Sequence, residues 1–315
     1  MNPRVLLAGL CLLLPATAAA QQKSAKIDTV ALRFAWPQGL SATIDAERIR
    51  TRSADDRDST ASSLSYRMQA RAGKGKELLI RFSDFEVESD DAGEPQLMEQ
   101  VAGLVPNYRV SQQGEFLGVH EVSALKASMD SMFAPMLAED SSGQFKALFQ
   151  SLLSEDYLNG ATAQEWNSLV GMWVGADLEL GQVYELEEET PIPIIPGAVV
   201  TMVSEFAVEE RVSCEDGGTK TECVQIRLYA EPDSAGMKKV LQQFMQKIAG
   251  AGRTDVPVFE NLSIRSELLL ITRPETLVPY YMELIKVVEG KGRLGAETSP
   301  FSQVDRRRYW YTYER

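Results

Sequence analysis

Few residues in this chain are equipped to do chemistry, and their spacing says what that chemistry would be. His120 is the one histidine. It follows Gly118-Val119 and precedes Glu121, so a general-base role beside that carboxylate is the first possibility to weigh. Such a base needs a reacting proton within hydrogen-bond reach, but no Ser or Cys nucleophile motif lies beside it, and Gly-x-Ser-x-Gly is absent from the chain. A lone imidazole also removes every multi-histidine metal site. His120 therefore reads as a histidine at the start of a helix. Glu185, Glu187, Glu188 and Glu189 concentrate carboxylates, yet calcium loops interleave acids with Gly and carbonyl donors so that the chain wraps the ion. Here a stiff segment from Pro191 to Pro196 follows, which points to a solvated strand end. Asp55, Asp56 and Asp58 lack a glycine turn and sit among Ser, Thr and Arg, as in an exposed loop. No catalytic, cofactor-binding or metal-ligating set emerges, and no cofactor is expected.

The cysteines are more informative. Of three, Cys11 falls in an apolar leader, leaving Cys214 and Cys223. Their spacing is not that of a redox C-x-x-C pair, and two thiolates with no nearby histidine are too few for a metal. They read as a disulfide across a hairpin that reverses at Gly217-Gly218. Parity sharpens this. The apolar residues of both arms, Val212 and Val224 among them, fall on even numbers and should share a face. An odd cysteine pair sum then requires a one-residue bulge near the disulfide, or a Cys214 that has left the ladder.

Two further groups are candidates for binding. Arg306-Arg307-Arg308-Tyr309-Trp310-Tyr311 mixes basic and aromatic side chains as some nucleic-acid surfaces do. Tyr309, Tyr311 and Tyr313 alternate, however, as in an amphipathic terminal strand, and the chain carries −13. Nucleic acid is excluded as a partner. The other group, Met129, Met132, Phe133, Met136, Trp166, Met172 and Trp173, would line an adaptable apolar cleft if it does not simply fill a core.

The elements that must position these groups follow from periodicity. Segments 62–72 and 77–88 make a hairpin turning at Gly73-Lys74-Gly75. Leu78, Ile80 and Phe82 share one face and Phe85 and Val87 have the opposite parity, so a bulge belongs near Ser83-Asp84, with Asp84, Glu86 and Glu88 on the wet face. Helical spacing runs from Val122 to Leu137, from Phe145 to Leu153, and through Trp166, Leu169, Val170 and Trp173, the last opening with a Thr162/Glu165 capping box. A short helix is expected over 95–103, and another after Ser234 as its cap. A hairpin over 199–229 and a meander of strands over 262–272, 277–288 and 302–313 complete the pattern.

The first 20 residues form an export leader. Arg4 precedes the apolar run Val5 to Leu14, Pro15 breaks it, and Ala18-Ala19-Ala20 suits cleavage before Gln21. The run is too short to span a bilayer, which needs about 20 apolar residues, and no transmembrane segment is expected in the mature chain. With 44% apolar and 24% charged residues, the remainder suits a globular domain. It reads as one α+β domain over 21–315, divisible into halves 21–120 and 179–315 around a helical lobe at 121–175.

Leu32-Arg33-Phe34 and Gly39, the stretch Leu104 to Val110 followed by Gly114-Glu115-Phe116-Leu117-Gly118, and Gly181-Gln182-Val183-Tyr184 carry a family likeness. In these the chain resembles a group of uncharacterised exported bacterial proteins. Some of that group look like periplasmic lipoprotein-carrier half-barrels, in which a curved antiparallel sheet wraps helices around an apolar cavity. The fold expected is therefore α+β, a curved, mostly antiparallel sheet with helices on one side. The function expected is a non-catalytic periplasmic or secreted envelope protein that binds a lipid, another apolar ligand or an envelope partner. A carboxylate-based hydrolase and a structural or assembly factor are the alternatives.

Overall fold

A computed structural model describes residues 28–53, 57–89, 104–138, 150, 152–192, 195, 197–215, 220, 222–249, 258–294 and 297–314. The leader with its Ala20–Gln21 junction, Asp55 and Asp56, the helix expected over 95–103, the Phe145–Phe149 stretch and Gly217-Gly218 lie outside the described residues. The strands are β1 (Thr29–Ala31), β2 (Ser41–Ser53), β3 (Arg57–Ala72), β4 (Leu78–Ser89), β5 (Tyr108–Val110), β6 (Phe116–Val119), β7 (Asp177–Glu179), β8 (Tyr184–Pro191), β9 (Val199–Val212), β10 (Cys223–Pro232), β11 (Val258–Arg273), β12 (Val278–Leu294) and β13 (Glu297–Tyr313). The helices are α1 (Val122–Ala138), α2 (Glu155–Leu169) and α3 (Ser234–Ala249), with a 3₁₀ turn at Gly171–Trp173.

Eleven strands form one antiparallel sheet in the order β6-β5-β4-β3-β2-β13-β12-β11-β10-β9-β8. β1 and β7 make a separate two-stranded sheet. The large sheet is open and uncurled, where a curved one was expected. The two ends of the chain meet in its middle, because β13 pairs with β2 from Ser302↔Ser53 to Tyr313↔Ala42. Strand alternation then sorts the side chains into two faces. Ala42 and Ile44 on β2, Met68 on β3, Ile80 on β4, Tyr311 on β13, Leu268 and Leu270 on β11 and Ile226 on β10 are buried on one of them. Helices cover that face. The other carries ion-pair ladders such as Arg308 with Glu283 and Glu47 at 2.8 and 3.1 Å, and Arg227 with Glu209 and Glu267 at 2.8 and 2.6 Å.

The register breaks where parity requires. In β4 the pairing steps from Arg67↔Ser83 to Ser65↔Glu86, and Asp84 takes a positive φ of 56°, which is the expected bulge. In the β9–β10 hairpin the shift falls between Gln225 and Ile226, and Cys214 lies beyond the end of β9 at Val212. Both devices foreseen for the cysteines are thus present. The bulge also overturns one expectation: Val212 pairs with Cys223 rather than sharing the face of Val224, because the extra residue flips the parity of everything beyond it.

The helices correct the sequence reading at their starts. Thr162 does not cap a helix. It lies buried inside α2 and its hydroxyl donates back to the Leu158 carbonyl at 2.7 Å, while Ser154 accepts from the Tyr157 amide as N-cap. α3 begins at Ser234, but Asp233 caps it, accepting from Ala235 and Gly236 at 3.3 and 2.7 Å. A carboxylate one residue upstream wins because it can accept from two free first-turn amides and complements the helix dipole. Within 121–175, the end of α2 and the 3₁₀ turn pack on the sheet. Trp166, Leu169, Val170 and Trp173 belong to the sheet's own core, since an amphipathic helix must bury its stripe against the nearest apolar face.

Trp166 joins the pieces of this core. Its ring meets Phe34, Trp36 and Tyr108 at 5.9, 5.3 and 5.5 Å, and its indole N–H donates to the Gly114 carbonyl at 2.8 Å. Gly114 must be glycine. Its φ is +86°, and a Cβ there would lie 2.7 Å from Phe34 Cγ and 3.0 Å from Val174 Cγ2. Gly114→Ala is expected to lower stability by about 2–4 kcal/mol, combining left-handed backbone strain with overpacking. Urea unfolding of the purified variant measures this.

Candidate functional site

The chain brings a set of aromatic side chains to one end of β12 and β13. There the loop after β9, with Ser213, Cys214 and Glu215, meets Ile271, Tyr280, Tyr281 and the stretch Trp310–Glu314 around a groove of about 770 Å³. The Cys214–Cys223 disulfide, with Cα atoms 5.0 Å apart, ties that loop to the first residue of β10. The groove wraps the end of the sheet: Tyr280 packs on Tyr313 at 5.2 Å on the covered face, and Tyr281 on Trp310 at 5.8 Å on the face that carries Arg308 and Glu283. The Tyr313 hydroxyl donates to the Pro279 carbonyl, and Arg273 lies 5.7 Å over the Tyr280 ring while pairing Glu222 at 3.5 Å. Burial pushes the Tyr280 phenol above its ordinary range against the pull of Arg273, and burial pushes Tyr313 well above it. These phenols stay neutral at physiological pH and act as polar handles on apolar rings.

A smaller recess of about 50 Å³ lies further along the covered face, between the sheet and α2. Tyr66, Tyr108, Tyr309 and Tyr311 line it with Ile44, Met68 and Phe82, and Glu165 of α2 is its one carboxylate. More than a third of Glu165 is accessible, yet protein surrounds it on most sides, as fits a group lining a recess. That enclosure raises its pKa, and Arg307 pulls the other way. One rung beyond Tyr309 on β13, Arg307 stands beside Asp305. This carboxylate is 8% exposed and holds Arg48 at 2.5 Å, Arg307 at 3.2 Å and Arg50 at 3.8 Å. Burial alone would raise Asp305. The hydrogen bonds and charges of Arg48 and Arg307 outweigh it and hold the group well below the ordinary carboxylate range.

The residues singled out from sequence are distributed differently. Trp166 and Trp173 are core side chains at 1% exposure each, Trp173 packing on Phe206 at 5.9 Å, whereas Met172 is exposed. Met129, Met132 and Phe133 are half-buried on α1, which also carries Met136. His120 precedes α1, its amide donating to the Asn107 carbonyl at 2.7 Å and its Nε2 3.6 Å from Glu121. Glu185, Glu187, Glu188 and Glu189 are exposed on the edge strand β8, where charge discourages pairing with another chain. Among the described residues, no group of three or more His, Cys, Asp or Glu could hold a metal ion. Also among them, no helix is long and apolar enough to cross a membrane. The groove residues Tyr280 and Tyr281 and the recess residues Tyr66, Tyr108 and Glu165 were not foreseen. The alternation of Tyr309, Tyr311 and Tyr313 was their one visible signal. Arg48-Ile49-Arg50-Thr51-Arg52, which places three arginines on one strand face, was another available sign of the polar neighbour.

No protein-family model matches the chain, and no curated protein matches it significantly. Among solved structures, one describing lipid–protein interactions in lipovitellin is similar to 88% of this chain and 26% of its own, with 7% identity and a TM-score of 0.44. The chain thus spans about a quarter of the length of that structure's chain.

Two titrations test this site. Asp305 has a depressed folded pKa, so its stabilisation is present above the unfolded value of about 3.9 and is lost as pH falls from there toward the folded value. Asp305→Asn should therefore cost roughly 1–3 kcal/mol at pH 7 and progressively less below pH 4. Glu165 has the opposite sign. With a raised folded pKa, its charged form opposes folding above that value, and the cost vanishes below the unfolded value of about 4.3. Glu165→Gln should raise the thermal midpoint at pH 8 and leave it nearly unchanged at pH 4. Thermal unfolding of both variants across that range checks the two signs.

Proposed function

We propose that the protein is a non-catalytic exported envelope protein, one α+β domain over 21–315, that binds a small apolar or aromatic molecule in the groove beside its disulfide. The observation that carries this reading is the groove itself. Its volume of about 770 Å³ falls within the roughly 300–1,000 Å³ of small-molecule sites. Its walls offer aromatic faces and hydroxyls, with the carboxylates of Glu215 and Glu314 among its polar groups, a mixture that can hold an apolar body and orient it. The disulfide and the N-terminal leader support an oxidising, exported address, in the periplasm or beyond it.

Native mass spectrometry of protein taken from its own source, under gentle conditions, should show a bound small apolar molecule. A co-purifying polypeptide would favour an assembly role instead. In a direct assay, the neutral fluorophore N-phenyl-1-naphthylamine should bind the mature chain. Trp310→Ala removes a half-exposed groove wall and should weaken that binding about five-fold or more, whereas Glu165→Gln should not change it. Equal affinity of wild type and Trp310→Ala would count against the groove as the site.

A further inference from the structure

The covered face holds more guanidinium than its carboxylates satisfy, and we propose that Arg48, Arg50 and Arg307 form a binding site for a phosphate group, either free or as part of a lipid headgroup. In the β2–β13 ladder Arg48 stands opposite Arg307, and Arg50 opposite Asp305. Three guanidiniums therefore converge on one carboxylate. Arg48 occupies both Asp305 oxygens, through Nε at 2.9 Å and Nη2 at 2.5 Å, and Arg307 reaches one of them at 3.2 Å. Arg50 is left over. Its closest approach to Asp305 is 3.8 Å, beyond hydrogen-bond length, and its Nε is buried with no hydrogen-bond partner among the described residues.

Such crowding is costly without a further anion, because like charges at this range repel and an unpaired buried donor forfeits its solvation. Burial and then Arg48, with Arg52 and Arg307 behind, hold the Arg50 guanidinium below its ordinary basicity against the pull of Asp305. The surroundings add capacity to bind an anion. Lys286 stands opposite Asp305 on β12, Thr60 opposite Arg50 and Ser62 opposite Arg48 on β3, and Ser266 opposite Lys286 on β11. Among the described residues the acids facing this cluster are Asp305 and Glu165, the latter within range of Arg307, and Asp58 stands opposite Arg52 in the register. The surplus at Arg48, Arg50 and Arg307 is still positive, in a chain of net −13. Their side chains are 40%, 31% and 42% exposed, so an ion can reach them. Forked guanidinium donors match the paired oxygens of a phosphate better than a single-point acceptor. Arg307 lies four residues from Tyr311, about 13 Å along an extended strand. The site is therefore independent of the apolar groove.

The test is calorimetric titration of the full mature protein with inorganic phosphate and with pyrophosphate in low-salt buffer. It is paired with co-sedimentation on phosphatidylglycerol-containing vesicles against pure phosphatidylcholine vesicles. Binding of the inorganic anions alone assigns the site to a free phosphate compound, and binding of the anionic vesicles alone assigns it to a lipid headgroup. Arg50→Gln should weaken whichever binding is seen about tenfold, the loss of one charge-assisted contact. It should leave the thermal midpoint close to that of wild type, since Arg50 makes no hydrogen bond among the described residues. Arg306→Gln, on the opposite face, should leave binding unchanged. Absence of both kinds of binding in the unmodified protein overturns the proposal, and so does an equal loss in Arg306→Gln, which would reduce the effect to net charge.

Discussion

Everything in this molecule answers to one constraint, the two-residue period of a very wide antiparallel sheet. Across eleven paired strands, each side chain's face is set by its register, and a one-residue slip would exchange the faces. The bulges at Asp84 and in β9 show how strictly this holds. In β4, apolar residues of both parities, Phe82 and Phe85, pack on the same Tyr66 ring at 5.8 and 5.5 Å. The chain inserts an extra residue to make that possible. In the β9–β10 hairpin the same device changes the pair sums from even to odd, so that Val212, and Cys214 two residues beyond it, share the register parity of Cys223, and the disulfide ties the loop to the end of the ladder.

The width and length of the sheet then determine what can be buried. Strands β12 and β13 have 17 residues each, about 56 Å at strand rise. Helix α2 has 15 residues, about 22 Å at helical rise. One such helix cannot cover the face. α2 meets the rungs of Tyr309 and Tyr311, while Met237 and Leu241 of α3 pack with Leu262 and Phe301 toward the other end. The rungs of Arg307 and Asp305 fall between. Beyond the reach of both helices among the described residues, they cannot be uniformly apolar without exposing a large patch to water. The sheet fills them with charge and hydroxyls. The same geometry thus produces an aromatic zone, a basic band and a second apolar zone on one face.

Electrostatics of the whole chain conceal this arrangement. A net charge of −13 argues against anionic partners on average, yet charge acts locally and within a few ångströms in a partly dry site. Arg48 and Arg307 are 259 positions apart in numbering and directly opposed in space. Their convergence on a carboxylate of 8% exposure is a property of pairing between the chain's first long strand and its last.

Local rules were enough to read much of the fold from sequence. Alternation marked the meander that became β11, β12 and β13, the turn at Gly73-Lys74-Gly75 and the bulge near Asp84, because each depends on neighbours within a few residues. Cys214 and Cys223 and their odd pair sum were enough to foresee both the disulfide and its looped geometry. Helix starts were less legible. Thr162 and Ser234 carry the right chemistry for a cap, but which residue caps depends on where tertiary packing begins the helix. The tryptophans proposed for a cleft, Trp166 and Trp173, went into the core, since a sequence shows an apolar stripe and not what will cover it. The groove around Tyr280 and Tyr313, the recess holding Glu165 and the arginine band were decided only by the tertiary structure. Each is assembled from strands that are distant in the chain, and the residue facing another across the sheet is set by a register that no local pattern encodes.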